Sequence, residues 1–431
     1  MLISFSVANS RSIKGKQTID MEVATKYHTE KKSSALKNNF FKTKDETAPN
    51  LLKSAAIYGA NASGKSNFIR SVFDFNDVVM NFKEGGTKRS RGKIIDPYHP
   101  FKLDKKSKDQ PTEFEIDFIS EGKRYIYGFA YDQNKIHREF LECYFDGKKE
   151  LVYELKLGAK NKLVKNFTNH FKGKKERALD IIENTGNNLF LLLSINEDGN
   201  KFLNPVHDWI AEKLFIENDH NNFGQTVRWI QKDKTNKQKV LEVLRNIDVG
   251  IADFEIETIE RELPKSVAEN QEISDKVKSA MKKGLNIRFK TVNGFYLKSG
   301  EISLGTQAAF SLCSVIFPIF ANGGVLFFDE LDQSLHPDVL LYFVKMFHNP
   351  KINKGNGQII FTAHNDILLE KDYEVFRRDQ VWFTAKDEKT QSTELYSLVE
   401  FPAETKKRDN ITQLYRNHYY GARPLLKEFE F

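Results

Sequence analysis

The sequence feature that most constrains the fold is the segment Gly59-Ala60-Asn61-Ala62-Ser63-Gly64-Lys65-Ser66, which fills every fixed position of the pattern G-x-x-x-x-G-K-[ST]. The glycines let backbone N–H groups turn toward phosphate oxygens, while Lys65 can reach the β- and γ-phosphates. Residues 54–58 read as a short buried strand, and residues 67–72 open a helix whose N-terminus favours an anion. Together they predict a site for a nucleoside triphosphate and Mg²⁺, with Ser66 as a metal ligand. The predicted nucleotide-binding residues are Gly59, Asn61, Ala62, Ser63, Gly64, Lys65, Ser66 and Asn67.

Composition places few further limits on the chain. Its 431 residues, 40% of them hydrophobic, are enough for two or three domains, and its net charge of +7 is modest. Cys143 and Cys313 lie among apolar residues without metal-ligand spacing, which predicts buried free thiols in a reducing compartment. The first seven residues alternate like a strand and lack the charged start of a signal peptide. We therefore expect a cytoplasmic protein.

One segment, residues 308–328, is almost entirely apolar and about long enough to span a bilayer. Pro318 and the Asn322-Gly323-Gly324 turn interrupt it. We therefore expect a core helix followed by a buried strand, and no contact with a membrane.

The order of periodic segments predicts three parts. Alternating strands before the glycine-rich loop, and further strands up to the Asp146-Gly147 hairpin, give an N-terminal lobe over residues 1–160 with a β subdomain. Apolar residues at helical spacing between 172 and 214, with charged helices at 237–247 and 273–283, give a helical insertion over residues 161–286. A strand over 287–297 opens a C-terminal lobe over residues 287–431.

A second nucleotide motif lies in that C-terminal lobe. The apolar run Val325-Leu326-Phe327-Phe328 ends in Asp329 and Glu330, the Walker B arrangement. A buried strand would hold Asp329 where it can order the Mg²⁺ ligand shell. Glu330 would then lie one residue further on, where it can polarise the attacking water. We therefore predict Asp329 as a metal residue and Glu330 as a catalytic base.

Three weaker motifs accompany this pair in the order in which they occur in ABC-type ATPases. Ser303-Leu304-Gly305-Thr306-Gln307 opens a helix shortly before the Walker B strand, as the ABC signature does. Residues 332–337 follow it like a D-loop, and the strand 358–362 leads to His364, as in an H-loop. We predict Ser303, Gly305 and Gln307 as nucleotide-binding residues and His364 as a contact of the γ-phosphate.

This ordered set resembles the ABC-type ATPase heads of the SMC and RecF proteins. More closely it resembles the bacterial AAA family ATPases of the RloA/abortive-infection group, relatives of the ATPase half of OLD proteins. The resemblance implies an α/β fold, namely a P-loop NTPase of ABC/SMC-head type with an N-terminal antiparallel β subdomain and a helical insertion. Further segments that carry it are His99-Pro100-Phe101, Phe190-Leu191-Leu192-Leu193-Ser194, Ile247-Asp248-Val249-Gly250-Ile251, Arg377-Arg378-Asp379-Gln380-Val381-Trp382-Phe383 and Tyr420-Gly421-Ala422-Arg423-Pro424.

The resemblance also implies partners. It implies a homodimer with ATP sandwiched between the subunits, which could assemble further, and a role as sensor or regulator in antiphage defence beside a separately encoded effector nuclease or toxin. One departure is that no Q-loop glutamine can be placed after the P-loop helix, which leaves the metal-sensing residue of that lobe open. The alternative is an SMC/RecF-like ATPase of DNA repair or recombination, which uses the same head. A nuclease within this chain is disfavoured, because the Asp146-Gly147 hairpin explains the loose spacing of Asp146 with Glu154 and Lys156.

A basic cluster leaves two interpretations open. It is either a solvated hairpin and helix start, or a surface that contacts nucleic acid or an acidic partner without reading sequence. Its members are Lys148, Lys149, Lys156, Lys160, Lys162, Lys165, Lys172, Lys174, Lys175 and Arg177.

Overall fold

A computed structural model of the chain describes residues 1–25, 36–85, 97–158, 162–171, 175–176, 203–218, 222–248, 250–260, 283–402 and 410–424. Its strands are β1 (Leu2–Ala8), β2 (Gln17–Asp20), β3 (Phe40–Lys42), β4 (Asn50–Leu52), β5 (Ser54–Gly59), β6 (Thr112–Ser120), β7 (Lys123–Tyr131), β8 (Ile136–Phe145), β9 (Lys148–Leu157), β10 (Leu163–Phe167), β11 (Leu214–Glu217), β12 (Ile251–Glu260), β13 (Lys283–Thr291), β14 (Tyr296–Lys298), β15 (Val325–Phe328), β16 (Gln358–Thr362), β17 (Val381–Lys386) and β18 (Thr393–Ser397). Its α-helices are α1 (Lys65–Gly85), α2 (Asn204–Lys213), α3 (Phe223–Lys232), α4 (Asn236–Ile247), α5 (Leu304–Asn322), α6 (Pro337–His348) and α7 (Ile411–Arg416).

The chain forms two compact units. The first comprises Met1–Asn218, Ile319–Asp332 and Leu340–Phe431, and the second comprises Asp219–Pro318 and Gln333–Val339. Strands β10 and β11 both belong to the first unit, where they pair with β9 and β15. The three-part division itself stays a prediction, and most of the helical segment 172–202 and all of 261–282 lie outside the described residues.

A six-stranded sheet in the first unit carries the nucleotide motifs. Its strand order is β11-β15-β16-β5-β17-β18, and every neighbouring pair is parallel except β17 with β18. The predicted strands before the P-loop and before Asp329 are confirmed as β5 and β15. Since parallel strands end at the same edge of a sheet, the segments that follow β15, β16 and β5 meet there.

A seven-stranded antiparallel sheet forms the β subdomain of the same unit. Its order is β10-β9-β8-β7-β6-β1-β2, so the N-terminal strands and the strands after residue 112 belong to one sheet. The predicted hairpin between β8 and β9 is confirmed, with Asp146 at φ 49° and Gly147 at φ 74°, as a tight two-residue turn requires. The predicted α/β fold is therefore observed, with the glycine-rich loop between a parallel strand and a helix and with an antiparallel β subdomain.

Helix α1 packs in the aromatic core of the first unit. Phe68 and Phe75 on α1 contact Phe5 of β1 with ring centroids 6.0 and 5.7 Å apart. Phe75 also stacks on Phe129 of β7 at 5.6 Å, while Phe5 contacts Phe327 of β15 at 6.1 Å. These aromatic contacts connect the antiparallel sheet, the P-loop helix and the Walker B strand in one hydrophobic cluster.

The second unit combines a three-stranded sheet, of order β12-β13-β14, with α3 and α4. The predicted strand over 287–297 is wrong in one respect, since it breaks into β13 and β14 at a turn with Gly294 at φ 85°. Phe254, Phe289 and Phe310 pack on one another, with ring centroids 5.3 to 6.0 Å apart. These rings supply an aromatic core for the unit.

The apolar segment 308–328 forms the predicted helix and strand, as α5 and β15. Contrary to expectation, α5 continues through Pro318 and ends at Asn322, where Gly323 and Gly324 adopt positive φ angles of 72° and 125°. Among the described residues α5 is the one helix long and apolar enough to cross a membrane, yet 67% of its most apolar window is buried. That burial is typical of a core helix.

A buried polar network supports the start of β5. Gln380 donates from Nε2 to Ser54 Oγ at 2.8 Å, and Ser54 Oγ in turn lies 2.7 Å from His348 Nε2. Burial, with Lys53 and Lys345 as smaller contributors, lowers the pKa of His348 from 6.5 to about 3. The His348 ring is therefore uncharged in the folded protein at neutral pH.

This network predicts acid sensitivity. The pKa of His348 is lower in the folded chain, so the unfolded chain binds more protons below pH 6.5, and stability falls as the pH decreases from there toward 3. We expect the free energy of unfolding in urea to decrease by up to about 1.4 kcal/mol per pH unit between about pH 6 and 5. His348→Gln should weaken that dependence, while the same change at His336, whose side chain is 70% exposed, should not. Identical pH profiles for wild type and His348→Gln would contradict this assignment.

Candidate nucleotide-binding site

The P-loop begins at the end of β5 and leads into α1. Asn61 and Ala62 are exposed at its tip, with Ala62 at φ 62°, while Ser63, Gly64 and Lys65 are buried. The Lys65 ammonium donates to the carbonyl oxygens of Gly59 at 2.7 Å and Ala60 at 3.2 Å. The lysine predicted to contact phosphate is thus retained inside the loop by two backbone acceptors.

Two threonines on β17 and β18 explain why glycines flank this loop. A Cβ atom at Gly59 would collide with Thr384 Oγ1, and one at Gly64, where φ is 114°, would collide with Thr393. Both threonines also bind Ser63, since Thr384 Oγ1 lies 2.6 Å from Ser63 Oγ and Thr393 donates to Ser63 O at 2.8 Å. Sequence reasoning missed both, because a threonine on a strand carries no local signal of its partner.

The Walker B acids follow β15, at the edge of the sheet that bears the P-loop. Asp329 is buried, whereas the Glu330 side chain is 40% exposed. Thr362, at the end of β16, connects them: its hydroxyl donates to Asp329 Oδ1 at 2.8 Å and accepts from Glu330 N at 2.6 Å. Glu330 has a positive φ of 55°, so this hydrogen bond fixes an unusual backbone position.

The two hydrogen bonds of the Thr362 hydroxyl predict that this residue supports ATP turnover through both acids. Thr362→Val keeps the shape of the side chain but leaves Glu330 N without its acceptor and Asp329 without a donor. We expect ATP turnover to fall about tenfold, equivalent to about 1.4 kcal/mol, with little change in ATP affinity. Thr362→Ser retains the hydroxyl and should stay near wild type in the same steady-state assay. Equal turnover of the valine variant and wild type would show that this support is dispensable.

His364 lies two residues beyond β16, on the same edge. Its Nε2 is 3.8 Å from Glu330 Oε1, and its ring is 45% exposed. Asp332 positions this segment, because its Oδ2 accepts from the backbone N–H groups of His364 at 2.7 Å and Asn365 at 2.6 Å. The structure thus brings His364, Glu330 and the start of the predicted D-loop together.

The electrostatics of this edge suit a phosphate. Burial lowers the pKa of Lys65, while the nearby carboxylates of Glu330, Asp329 and Asp332 oppose that shift. A buried ammonium facing three carboxylates is a concentrated arrangement of opposite charges, which a phosphate and its metal could enter. A hydroxyl at Ser66 and a carboxylate at Asp329 are the hard oxygen donors that Mg²⁺ prefers. The residues present therefore fit the predicted ion, and their individual roles stay predictions.

Asn67, predicted as a nucleotide contact, binds within the protein. Its Nδ2 donates to Ser12 Oγ at 2.8 Å, and Ser12 Oγ lies 2.7 Å from Thr393 Oγ1. This chain of contacts joins the P-loop helix to the turn after β1 and to β18. Asn67 supports the loop in this structure, and its contact with nucleotide stays a prediction.

The predicted signature residues belong to the second unit, at the start of α5. Ser303 is the residue before the helix, and its Oγ accepts from Thr306 N at 3.0 Å, as an N-cap does. A Cβ atom at Gly305 would lie 3.1 Å from Ser334 O, so a larger residue would press on the predicted D-loop. Gln307 donates from Nε2 to Ile302 O at 3.1 Å. The predicted helix start is confirmed, and the nucleotide contacts of these three residues stay predictions.

The sequence also matches the profile of a protein family. The match covers residues 54–370 and the family is described as "AAA domain, putative AbiEii toxin, Type IV TA system". That range is more than half of the chain and includes the P-loop, both Walker B acids and His364. The chain belongs to this AbiEii-type AAA family. It accordingly contains an ATPase-type AAA domain, a class of domain that binds nucleotide.

Similar solved structures come from SMC head domains. One is the SMC head bound to the C-terminal winged-helix domain of ScpA, with 13% identity, a TM-score of 0.44, and coverage of 92% of this chain and 97% of that one. The SMC head of Thermotoga maritima has 12% identity and a TM-score of 0.38, and covers 92% and 98%. The Pyrococcus furiosus head with an extended coiled coil, bound to the C-terminal domain of ScpA, has 12% identity and a TM-score of 0.40, and covers 96% and 99%. No curated protein matches the AbiEii-type chain significantly.

Proposed function

We propose that this AAA-domain protein is a Mg²⁺-dependent ATP hydrolase of ABC type. The observation that carries the proposal is the meeting of Lys65, Asp329, Glu330 and His364 at one edge of a parallel sheet, with Glu330 held by Thr362. A buried lysine beside two acids and a histidine is the set of side chains that phosphoryl transfer to water requires.

The residues divide the work as follows. Lys65 exchanges the carbonyl oxygens of Gly59 and Ala60 for the β- and γ-phosphates of ATP. Ser66 and Asp329 would hold Mg²⁺, which would supply positive charge to offset that of the phosphates. Glu330 accepts a proton from the attacking water, and His364 contacts the γ-phosphate from the neighbouring strand end.

We further propose that the functional form is a homodimer, with ATP between the subunits and with the option of higher assembly. Each P-loop leaves part of the γ-phosphate uncovered. Ser303, Gly305 and Gln307 of the partner subunit would complete the site with a second helix N-terminus.

The biological role that we propose is regulation of a separately encoded effector nuclease or toxin in antiphage defence, in the cytoplasm. The toxin–antitoxin description of the family supports defence over the alternative, an SMC/RecF-like ATPase of DNA repair.

A phage-infection assay separates these roles. Cells that carry the wild-type gene at its own locus should restrict plaque formation, and cells in which that gene encodes Lys65→Ala should not. Unchanged plaque counts together with greater sensitivity to DNA damage would favour repair.

Non-specific nucleic acid is a further proposed partner. The described lysines of the basic cluster on and after β9 include Lys149, which pairs with Glu142 at 3.1 Å, and the exposed Lys156. Lys160, Lys172, Lys174 and Arg177 lie outside the described residues. Contacts with phosphates would weaken with salt, so binding of duplex DNA at low and high salt tests this surface.

A further inference from the structure

We propose that Asp248 is a positioning residue for the signature serine, Ser303. The inference rests on the proposed composite site and assigns a role to the segment 247–251, which the nucleotide chemistry alone leaves unexplained. Asp248 follows α4, and all of its contacts described below lie within the second unit.

The backbone and carboxylate of Asp248 are both fixed. Its N–H donates to Leu244 O at 2.8 Å, which anchors the residue to the end of α4. Its Oδ1 accepts from Gly250 N at 3.0 Å, so the carboxylate has one orientation. The other oxygen, Oδ2, accepts from the hydroxyl of Thr306 at 2.7 Å.

That last bond sets the direction of the hydrogen bond between the hydroxyl groups of Ser303 and Thr306. Because Thr306 Oγ1 donates to Asp248 Oδ2, its single hydroxyl proton is already used in that bond. Ser303 Oγ lies 2.7 Å from Thr306 Oγ1, and in this pair Ser303 must therefore be the donor. Ser303 Oγ also accepts from Thr306 N at 3.0 Å.

The consequence is a serine with a fixed oxygen and a movable proton. Two contacts with Thr306, which is 3% exposed and tied to Asp248, hold the Ser303 oxygen at the helix start. When a γ-phosphate of the partner subunit arrives, the serine proton can turn from Thr306 to the phosphate without any movement of the oxygen. Without Asp248, the Thr306 hydroxyl loses its acceptor and can rotate, so the contact between Thr306 Oγ1 and Ser303 Oγ no longer has a fixed direction.

Subunit complementation tests this role. Asp248→Ala homodimers should bind ATP as wild type does in equilibrium dialysis, yet hydrolyse it up to about 100-fold more slowly, the scale of a misplaced contact. Co-expressed with Lys65→Ala, Asp248→Ala should regain single-turnover hydrolysis, because one of the two sites is then intact. Co-expressed with Gly305→Glu, Asp248→Ala should not regain hydrolysis. Both substitutions lie in signature regions, so each of the two sites then contains one defective signature. Thr306→Val, which removes the same hydroxyl bond, should fall in the same group.

The controls separate this inference from the function it rests on. Asp253→Ala removes an acid of the same unit that pairs with Lys237 at 2.8 Å, and should leave turnover unchanged. If Lys65→Ala and Gly305→Glu complement each other but Asp248→Ala complements neither, or turns over as wild type, the role of Asp248 is overturned. If Lys65→Ala and Gly305→Glu fail to complement in proven mixed dimers, the composite site is wrong and the role of Asp248 is overturned with it.

Discussion

Glu330→Gln is expected to lower ATP turnover by about 10²–10⁴-fold while ATP still binds, which is the range for loss of a general base. Glutamine preserves the size of the side chain and the hydrogen bond from the residue 330 amide to Thr362 Oγ1. It removes the carboxylate that would accept the proton of the attacking water. Steady-state phosphate release and equilibrium binding of ATP measure the two effects separately.

The same variant should accumulate the ATP-bound dimer, because hydrolysis no longer resolves it. Light scattering with and without ATP would detect the larger species. Glu370→Gln is a suitable control: Glu370 lies in the same unit, and its side chain pairs with Arg416 at 3.1 Å. Wild-type turnover in Glu330→Gln would remove Glu330 from the mechanism and leave the identity of the base open.

Two inactive variants should restore activity when they are co-expressed. Lys65→Ala removes the phosphate contact of one P-loop. Gly305→Glu places a carboxylate at the signature helix, where its Cβ also presses on Ser334 O. Each homodimer then has two defective sites, whereas a mixed dimer collects both lesions in one site and keeps the other intact. We expect near-zero hydrolysis from either homodimer and up to about half of the wild-type amplitude from a mixed dimer in a single turnover.

A site built within one subunit predicts no recovery, because every subunit would carry a lesion. The measurement therefore needs differently tagged subunits, purified through both tags so that only mixed dimers are assayed. Lys65→Ala paired with itself through the two tags is the matched control. Absence of recovery in mixed dimers that still bind ATP at one site would exclude the composite arrangement.

The local character of the P-loop explains why so much of the site was predictable. Residues 54–72 define strand, loop and helix in one continuous segment, and the apolar run before Asp329 defines a buried strand by itself. These motifs depend on contacts between near neighbours in sequence, such as Lys65 with Gly59. The sequence pattern was sufficient there because the residues that form the strand, loop and helix are contiguous in the chain.

Contacts between residues far apart in sequence could not be predicted in this way. Thr384 and Thr393 lie beside Gly59 and Gly64 but are more than three hundred residues away in sequence. Thr362, at the end of β16, binds both Asp329 and Glu330, which follow β15. The merging of β1 with β6 to β10 in one sheet depended on pairing across more than a hundred residues. A helix through Pro318 was likewise possible because burial outweighed the missing backbone donor.

The sequence alone determined that this chain has a P-loop, a Walker B strand and a helix that begins after Ser303, since each is encoded by contiguous residues. Only the tertiary structure decided which side chains support them. The order β15-β16-β5 sets the Walker B acids near Lys65 and His364 beside Glu330. Within the second unit, Asp248 after α4 gives Thr306 of α5 its carboxylate partner. The physical reason is that hydrogen bonds and close packing act over a few ångströms of space, whatever the separation in sequence, and no local pattern records them.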